Sequence, residues 1–218
     1  MAQPLRIDFV SDIACPWCVI GLRSLLQALA SVGEVDAQIR FSPFELNPDM
    51  APEGENAIEH VQKKYGSTAE RSAAVRQAIK DHGDALGFTF NYGPDSRIWN
   101  TFDAHRLLAW ALTEGKQLEL KQALFKSNFT AQRPTSDHAA LIDAAREAGL
   151  DPDKAGEVLS SGAFAEEVRA EEDHWRANGI HAVPSVIFNS RWLIQGGQPP
   201  QVFEQVIRDI LSGAAREA

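Results

Sequence analysis

The sequence contains two cysteines, Cys15 and Cys18, separated only by Pro16 and Trp17. Residues 5–10 just before them alternate apolar and polar side chains as a strand does, and apolar residues recur at helical spacing just after them. The first cysteine of such a junction lies among unpaired N–H groups at the positive end of a helix, which favours its thiolate. The pattern therefore predicts a redox dithiol, with Cys15 as the nucleophile and Cys18 as the resolving thiol.

Other interpretations of the cysteine pair explain less. A zinc site needs four ligands, and neither a second C-x-x-C nor clustered histidines are present, so no metal is expected. A structural disulfide would close too small a loop to constrain the unfolded chain. Two unrelated buried cysteines would leave their position at a strand–helix junction unexplained. Pro16 suits a first helical turn, and Trp17 is either an apolar cover for the dithiol or a core residue.

Composition limits the partners and the compartment. The net charge of −9 and the pI of about 5.1 argue against nucleic acid or an anionic membrane surface. No stretch reaches the roughly 18 apolar residues that span a bilayer, and the first residues do not form a basic and then apolar leader. We therefore expect a cytoplasmic protein without membrane contact, and there a dithiol is usually catalytic or sensing.

Strand patterns occur at both ends of the sequence, and helical patterns lie between them. Residues 35–41 predict a second strand, and residues 183–195 predict a hairpin that is followed by a closing helix. Neither strand pair alone would be stable, so all four should share one sheet. The predicted class is α/β, a thioredoxin-like β-α-β … β-β-α fold with a large all-helical insertion. Residues 1–50 and 180–218 would form the discontinuous thioredoxin-like domain, and 51–179 the helical insertion subdomain.

Several segments resemble the DsbA superfamily of thioredoxin-fold oxidoreductases, and most closely its FrnE-like branch. They are SDIACPWC at 11–18 with Gly21, NTFDAHR at 100–106, VPS at 183–185 and GGQP at 196–199. The resemblance covers nearly the whole chain and is more specific than C-x-x-C alone. It implies a thiol–disulfide oxidoreductase that acts on protein or small-molecule disulfides. No bound organic cofactor is implied, and glutathione would be an exchange partner.

The resemblance also implies particular site residues. It places a cis peptide bond before Pro184, beside the dithiol, and lets the backbone of Val183 pair with the substrate chain. The residues alone show only a proline that opens a strand. Asn100 and His105 would face the dithiol from the insertion, although locally they are equally a helix N-cap and an ordinary helix residue. The predicted substrate-binding residues are Pro16, Trp17, Val183, Pro184, Asn100 and His105.

Two alternative functions stay open at this point. The 2-hydroxychromene-2-carboxylate isomerases and kappa-class glutathione transferases resemble this insertion architecture, which suggests a glutathione-dependent isomerase or transferase. Those relatives lack the dithiol, so the presence of Cys18 counts against this alternative. A non-catalytic module that binds a ligand between insertion and sheet would keep its function when Cys15 is replaced. The superfamily contains homodimers, but the sequence indicates no interface.

Overall fold

A four-stranded mixed sheet brings the two ends of the chain together. The computed structural model describes residues 4–214. Its strands are β1 (Leu5–Ser11), β2 (Ala37–Pro43), β3 (Glu55–Asn56), β4 (Arg97–Ile98), β5 (Ser185–Phe188) and β6 (Trp192–Gln195). The main sheet has the order β2-β1-β5-β6, in which β1 and β2 are parallel and the other two pairings are antiparallel. The strands predicted from opposite ends of the sequence therefore do share one sheet.

Helices cover this sheet and fill the insertion. Within residues 4–214 they are α1 (Pro16–Val32), α2 (Ala57–Tyr65), α3 (Ala69–Ala85), α4 (Phe102–Thr113), α5 (Gln117–Phe125), α6 (His138–Glu147), α7 (Pro152–Ser161), α8 (Ala165–Ala177) and α9 (Pro200–Leu211). A π-helical turn, Lys126–Thr130, continues α5. The predicted class, a thioredoxin-like fold with a large helical insertion, is confirmed. None of the helices in this described part of the chain is long and apolar enough to cross a membrane.

The insertion is helical apart from one short strand pair that the sequence pattern did not predict. Strands β3 and β4 are two residues long and antiparallel, with Glu55 opposite Ile98. The guanidinium group of Arg97 donates hydrogen bonds to the carbonyl oxygens of Glu53 and Gly54, each at 2.8 Å. A pair of two-residue strands is too short to show an alternating pattern, so this contact could not be read from the sequence.

One continuous hydrophobic core joins the sheet to the insertion. It includes Phe9 of β1, Leu22 of α1, Leu107 of α4, Leu124 of α5 and Phe203 of α9, each at most 1% exposed. Burial of this apolar surface is the main force that holds the insertion against the sheet. The domain limits predicted near residues 50 and 180 stay predictions, since the same core crosses both of them.

Strand β2 lies at an edge of the sheet, and a side chain from the insertion covers part of that edge. The Oε1 atom of Gln117 accepts a hydrogen bond from the backbone N–H of Phe41 at 2.8 Å. Its Nε2 atom donates to the carbonyl oxygen of the same residue at 2.9 Å. The amide of Gln117 thus takes the place that a peptide group of a further strand would occupy. This contact fixes α5 relative to the sheet.

Candidate active site

The dithiol lies where β1 passes into α1. Cys15 is the N-cap residue of α1, with extended backbone angles (φ −95°, ψ 111°), and Pro16 occupies the first turn. The N–H of Cys18 donates to the carbonyl oxygen of Cys15 at 3.1 Å. Both cysteines are free thiols. Cys15 therefore sits at the positive end of the helix dipole, where a thiolate is stabilised.

The two thiols are both shielded from solvent, Cys18 completely. Cys15 is 3% exposed and Cys18 is 0% exposed. Burial raises the pKa of the Cys18 thiol, and the hydrogen bond and charge of neighbouring Cys15 raise it further. Cys18 therefore holds its proton more tightly than a free cysteine does, because a buried thiolate lacks hydration.

The Val183–Pro184 peptide lies against the first thiol. This bond is cis, and the Cys15 sulfur lies 3.7 Å from the carbonyl oxygen of Val183. A β-carbon built on Gly21 would lie 3.1 Å from Cγ of Pro184. The missing side chain at Gly21 thus lets the proline loop approach α1 closely. Two of the residues selected from the sequence, Val183 and Pro184, are therefore neighbours of the dithiol.

Trp17 is partly exposed and packs against the core. Its ring makes an edge contact with the ring of exposed His82 from α3, with centroids 5.7 Å apart. On another side lies Gly197, where an added β-carbon would come within 3.0 Å of both the ring and the carbonyl oxygen of Trp17. Both sequence interpretations of Trp17, as a cover and as a core residue, describe part of its environment.

Two tyrosines from the insertion lie close enough to Cys15 to be affected by its charge. Partial burial raises the pKa of Tyr65, and the Cys15 charge adds to this. The same two causes, in the same order, raise the pKa of Tyr92. Tyr65 ends α2 and is 63% exposed, whereas Tyr92 is stacked on Phe90 with centroids 5.7 Å apart. The sequence analysis selected neither tyrosine.

Asp12 is a buried carboxylate between the end of β1 and the dithiol. Its Oδ2 atom accepts a hydrogen bond from the N–H of Leu46 at 2.7 Å, and Oδ1 accepts one from the N–H of Ala14 at 3.2 Å. Nε2 of His105 lies 3.5 Å from Oδ1. Burial raises the pKa of Asp12, but the interactions with His105 and Leu46 outweigh it, so the pKa is below its ordinary value. His105 is 2% exposed, so the structure places it inside the protein against Asp12.

Asn100 joins a loop to the start of α4. Its Oδ1 atom accepts a hydrogen bond from the N–H of Phe102 at 2.9 Å, and Nδ2 donates to the carbonyl oxygen of Met50 at 3.2 Å. The N-cap residue of α4 is Thr101, one position later than the sequence pattern predicts. Asn100 still satisfies the first N–H of the helix, as a capping side chain does.

Two more buried polar side chains belong to the surroundings of the dithiol, and the sequence analysis missed both. Nδ2 of Asn128, in the π-helical turn, donates to the carbonyl oxygen of Ile13 at 3.0 Å and so supports the loop before Cys15. Lys121 of α5 is completely buried. Within residues 4–214, no group of three or more His, Cys, Asp or Glu side chains could hold a metal ion.

Taken together, these features define a class of site. A cysteine pair begins a helix, a cis proline peptide lies against the first thiol, and a mixed sheet supports both. This is the arrangement of a thioredoxin-fold dithiol, the site of thiol–disulfide oxidoreductases. The chain belongs to the DSBA-like thioredoxin domain family, which matches residues 6–208.

Solved structures agree with this assignment. A probable DsbA oxidoreductase from Streptomyces coelicolor is 31% identical and superposes with a TM-score of 0.89, covering 98% of this chain and 92% of that chain. A 2-hydroxychromene-2-carboxylate isomerase shares the fold at 13% identity and a TM-score of 0.68, covering 97% of this chain and 100% of that chain. Cytosolic disulfide reductase DsbM from Pseudomonas aeruginosa, solved with GSH, shares the fold at 16% identity and a TM-score of 0.63, covering 95% of this chain and 99% of that chain.

No curated protein matches the chain significantly. Family membership and the similarity to the Streptomyces oxidoreductase identify the protein as a thiol–disulfide oxidoreductase of the DsbA type.

Proposed function

We propose that Cys15 exchanges with substrate disulfides and that Cys18 resolves the mixed disulfide. The Cys15 thiolate attacks one substrate sulfur and releases the other as a thiolate. Cys18 then attacks Cys15, forms the Cys15–Cys18 disulfide and frees the second substrate thiol. The observation that carries this assignment is the position of Cys15 at the start of α1 and 3.7 Å from the Val183 carbonyl oxygen, while Cys18 is fully buried.

The substrates we propose are disulfides of proteins or small molecules. A substrate chain would pair with the backbone of Val183 as an added strand, beside Pro184, and Pro16 and Trp17 would form the apolar rim of the site. Pro16 and Trp17 are both partly exposed and adjoin Cys15, which supports this placement.

Asn100 and His105 would act on this site indirectly, by positioning neighbouring groups. His105 would hold the buried Asp12 carboxylate, and Asn100 would position the loop that contains Met50. Their contribution to substrate binding is thus proposed to be indirect.

We further propose glutathione as an exchange partner and the cytoplasm as the compartment. Glutathione is the thiol that maintains reducing conditions there, so it is available to recycle a dithiol. DsbM, which shares the fold at 16% identity, is described as cytosolic and was solved with GSH.

The test is to equilibrate the protein in glutathione buffers of graded poise and to count reduced thiols by alkylation and mass spectrometry. We expect a reversible two-electron titration. Cys15→Ser should abolish disulfide exchange, whereas Cys18→Ser, the matched control that keeps the first thiol, should accumulate a mixed disulfide with glutathione. Thiols that stay reduced at every poise, or exchange that persists in Cys15→Ser, would contradict the proposal. Turnover or binding of a ligand by Cys15→Ser would instead support the isomerase or binding-module alternative.

A further inference from the structure

Lys121 is a charged side chain buried in the centre of the protein. It is 0% exposed, and within residues 4–214 its Nζ atom has no hydrogen-bond partner. Two aromatic rings lie beside it: Nζ is 4.9 Å from the ring centroid of Phe125 and 5.8 Å from that of Phe41. Burial of an ammonium group without a hydrogen-bonded partner is strongly unfavourable. For packing alone, methionine or leucine would suit this position better.

The charged groups that act on Lys121 include Cys18, Asp12 and Cys15, at the junction of β1 and α1. Burial lowers the pKa of Lys121 to about 8, and Cys18, Asp12 and Cys15, in that order, act in the opposite direction. Asp12 already has its own partners in the N–H groups of Leu46 and Ala14 and in His105. The dithiol is therefore the remaining anionic group whose charge Lys121 can balance.

We propose that Lys121 accepts the proton of Cys18 and balances the charge of its thiolate when the mixed disulfide is resolved. This inference rests on the proposed function of the dithiol. Cys18 is fully buried, so hydroxide or buffer cannot easily remove its proton, and an internal base is needed. Asp12 is poorly suited to this role, because its lowered pKa makes it a weak base. Because burial lowers the pKa of Lys121 to about 8, a fraction of the amine is neutral near pH 7 and can accept a proton.

In the reducing direction, the neutral form of Lys121 takes the proton from Cys18 and becomes an ammonium group. The Cys18 sulfur attacks the Cys15 sulfur, the bond from Cys15 to the substrate sulfur breaks, and the electron pair leaves with the substrate thiolate. Two electrons have then passed from the protein dithiol to the substrate disulfide, and the ammonium proton is returned to the departing thiolate. In the opposite direction, Lys121 protonates Cys18 as it leaves the disulfide.

Since Nζ makes no hydrogen bond to any residue in the described part of the chain, the proton transfer requires a local movement. A rotation of the lysine side chain toward Cys18, or one bridging water molecule, would suffice.

The first test compares Lys121→Met with Lys126→Met, a neighbouring exposed lysine that pairs with Glu147. Each variant is loaded as the Cys15–glutathione mixed disulfide, and the release of glutathione is followed in single-turnover experiments across pH. We expect resolution by Lys121→Met to be about 10- to 100-fold slower near neutral pH, with its pH profile shifted upward, while Lys126→Met behaves as wild type. A wild-type rate and an unshifted profile in Lys121→Met would overturn the inference.

The outcomes separate this inference from the proposed function. If the wild-type protein forms no mixed disulfide with glutathione, the proposed function itself fails. If it forms and resolves one, and Lys121→Met does so equally well, only the role of Lys121 fails. Loss of thermal stability without a change in the pH profile would assign Lys121 a structural role and likewise overturn the inference.

A second measurement needs no variant at position 121. The Cε resonances of ¹³C-labelled lysines are titrated in the reduced and the oxidised wild-type protein, with the Lys121 signal assigned. A thiolate charge in the dithiol raises the pKa of Lys121, so disulfide formation, which removes that charge, should lower the pKa. Equal pKa values of Lys121 in the two forms would contradict its coupling to the dithiol.

Discussion

At the scale of single residues, the surroundings of the dithiol contain buried ionisable groups of both signs. Asp12, His105 and Lys121 are each at most 2% exposed. Charges shielded from solvent in this way are screened by salt much less than surface charges are. The chemistry of the dithiol should therefore depend on internal groups and only weakly on ionic strength.

Asp12 gives a prediction about acid stability. Its pKa is lower in the folded chain than the ordinary value of 3.8, so its ionised form stabilises the fold at higher pH. This stabilisation is lost as the pH falls through the folded pKa. Asp12→Asn should thus lower the free energy of unfolding at pH 7 by about 1.5–3 kcal/mol and flatten its decline toward acid pH. Urea unfolding between pH 3 and pH 7 measures both effects.

Asp143→Asn is the matched control for this prediction. The pKa of Asp143 is also lowered, through hydrogen bonds from Arg133 and Arg146, but this carboxylate is at the surface. Solvent screens such pairs, so the control should change the curve much less. Parallel curves for wild type and Asp12→Asn would show that Asp12 is not a source of the acid sensitivity.

Lys121 also shows what could be predicted from the sequence at this scale. It lies at helical spacing with Gln117, Leu120, Leu124 and Phe125, so a lysine stands in the stripe that faces the core. That signal was available, but long lysine side chains often run along a core and end in solvent. Only the structure shows that the amine stays inside the protein.

At the scale of elements, two glycines within helices have opposite surroundings. A β-carbon on Gly83 of α3 would lie 2.6 Å from the carbonyl oxygen of Phe88 and 2.5 Å from the ring of Phe90. One on Gly156 of α7 would meet only the Ile142 side chain, at 3.7 Å. Gly83 thus lets the segment after α3 fold back onto the helix, whereas Gly156 only weakens its helix.

The two glycine-to-alanine variants should therefore change stability in opposite directions. Gly156→Ala should raise the free energy of unfolding by about 1 kcal/mol, since alanine is the better helix former. Gly83→Ala gains the same propensity but must displace backbone, which costs about 1–3 kcal/mol or more, so it should be less stable than wild type. Urea unfolding of the two variants measures both effects. An equal increase in the free energy of unfolding in both variants would show that the segment at Phe88 moves aside without an energetic cost.

Helix ends and interruptions were the parts of the elements that the sequence predicted least well. Ser136 and Asp137 are both residue types that cap helices, and the structure uses Asp137 for α6, while Asp151 caps α7. Adjacent side chains of similar capping ability compete, and tertiary packing chooses between them. The apolar pattern of residues 118–129 is typical of one continuous helix, yet α5 changes to a π-helical turn that brings Asn128 to Ile13. A single inserted residue of this kind leaves no periodic signal.

At the scale of the whole molecule, the thioredoxin-like class could be predicted because its strands and motif residues lie in short, clearly patterned segments. The contributions of the insertion to the site could not be predicted from the sequence. Tyr65, His82 and Tyr92 approach the dithiol from residues far away in sequence, and their positions depend on how the helices pack. The homodimer that the family resemblance allows stays a prediction, which sedimentation velocity would test.

The shared core predicts how the molecule unfolds. Since one hydrophobic cluster includes residues of the sheet and of the insertion, neither part keeps its buried surface when the other opens. We therefore expect a single cooperative transition in urea, with far-UV and near-UV circular dichroism changing together. A helical signal that persists after the tryptophan environment is lost would show that the insertion is stable independently of the sheet.

The amide of Gln117 on strand β2 has a consequence for how this protein can associate with other copies. A β-sheet that grows without limit needs two open edges, one to accept a strand and one to offer the next. Here the side chain of Gln117 occupies part of one edge, at Phe41 of β2. A strand from another copy could not form hydrogen bonds to the backbone of Phe41 without displacing this amide, so growth of the sheet beyond β2 is hindered.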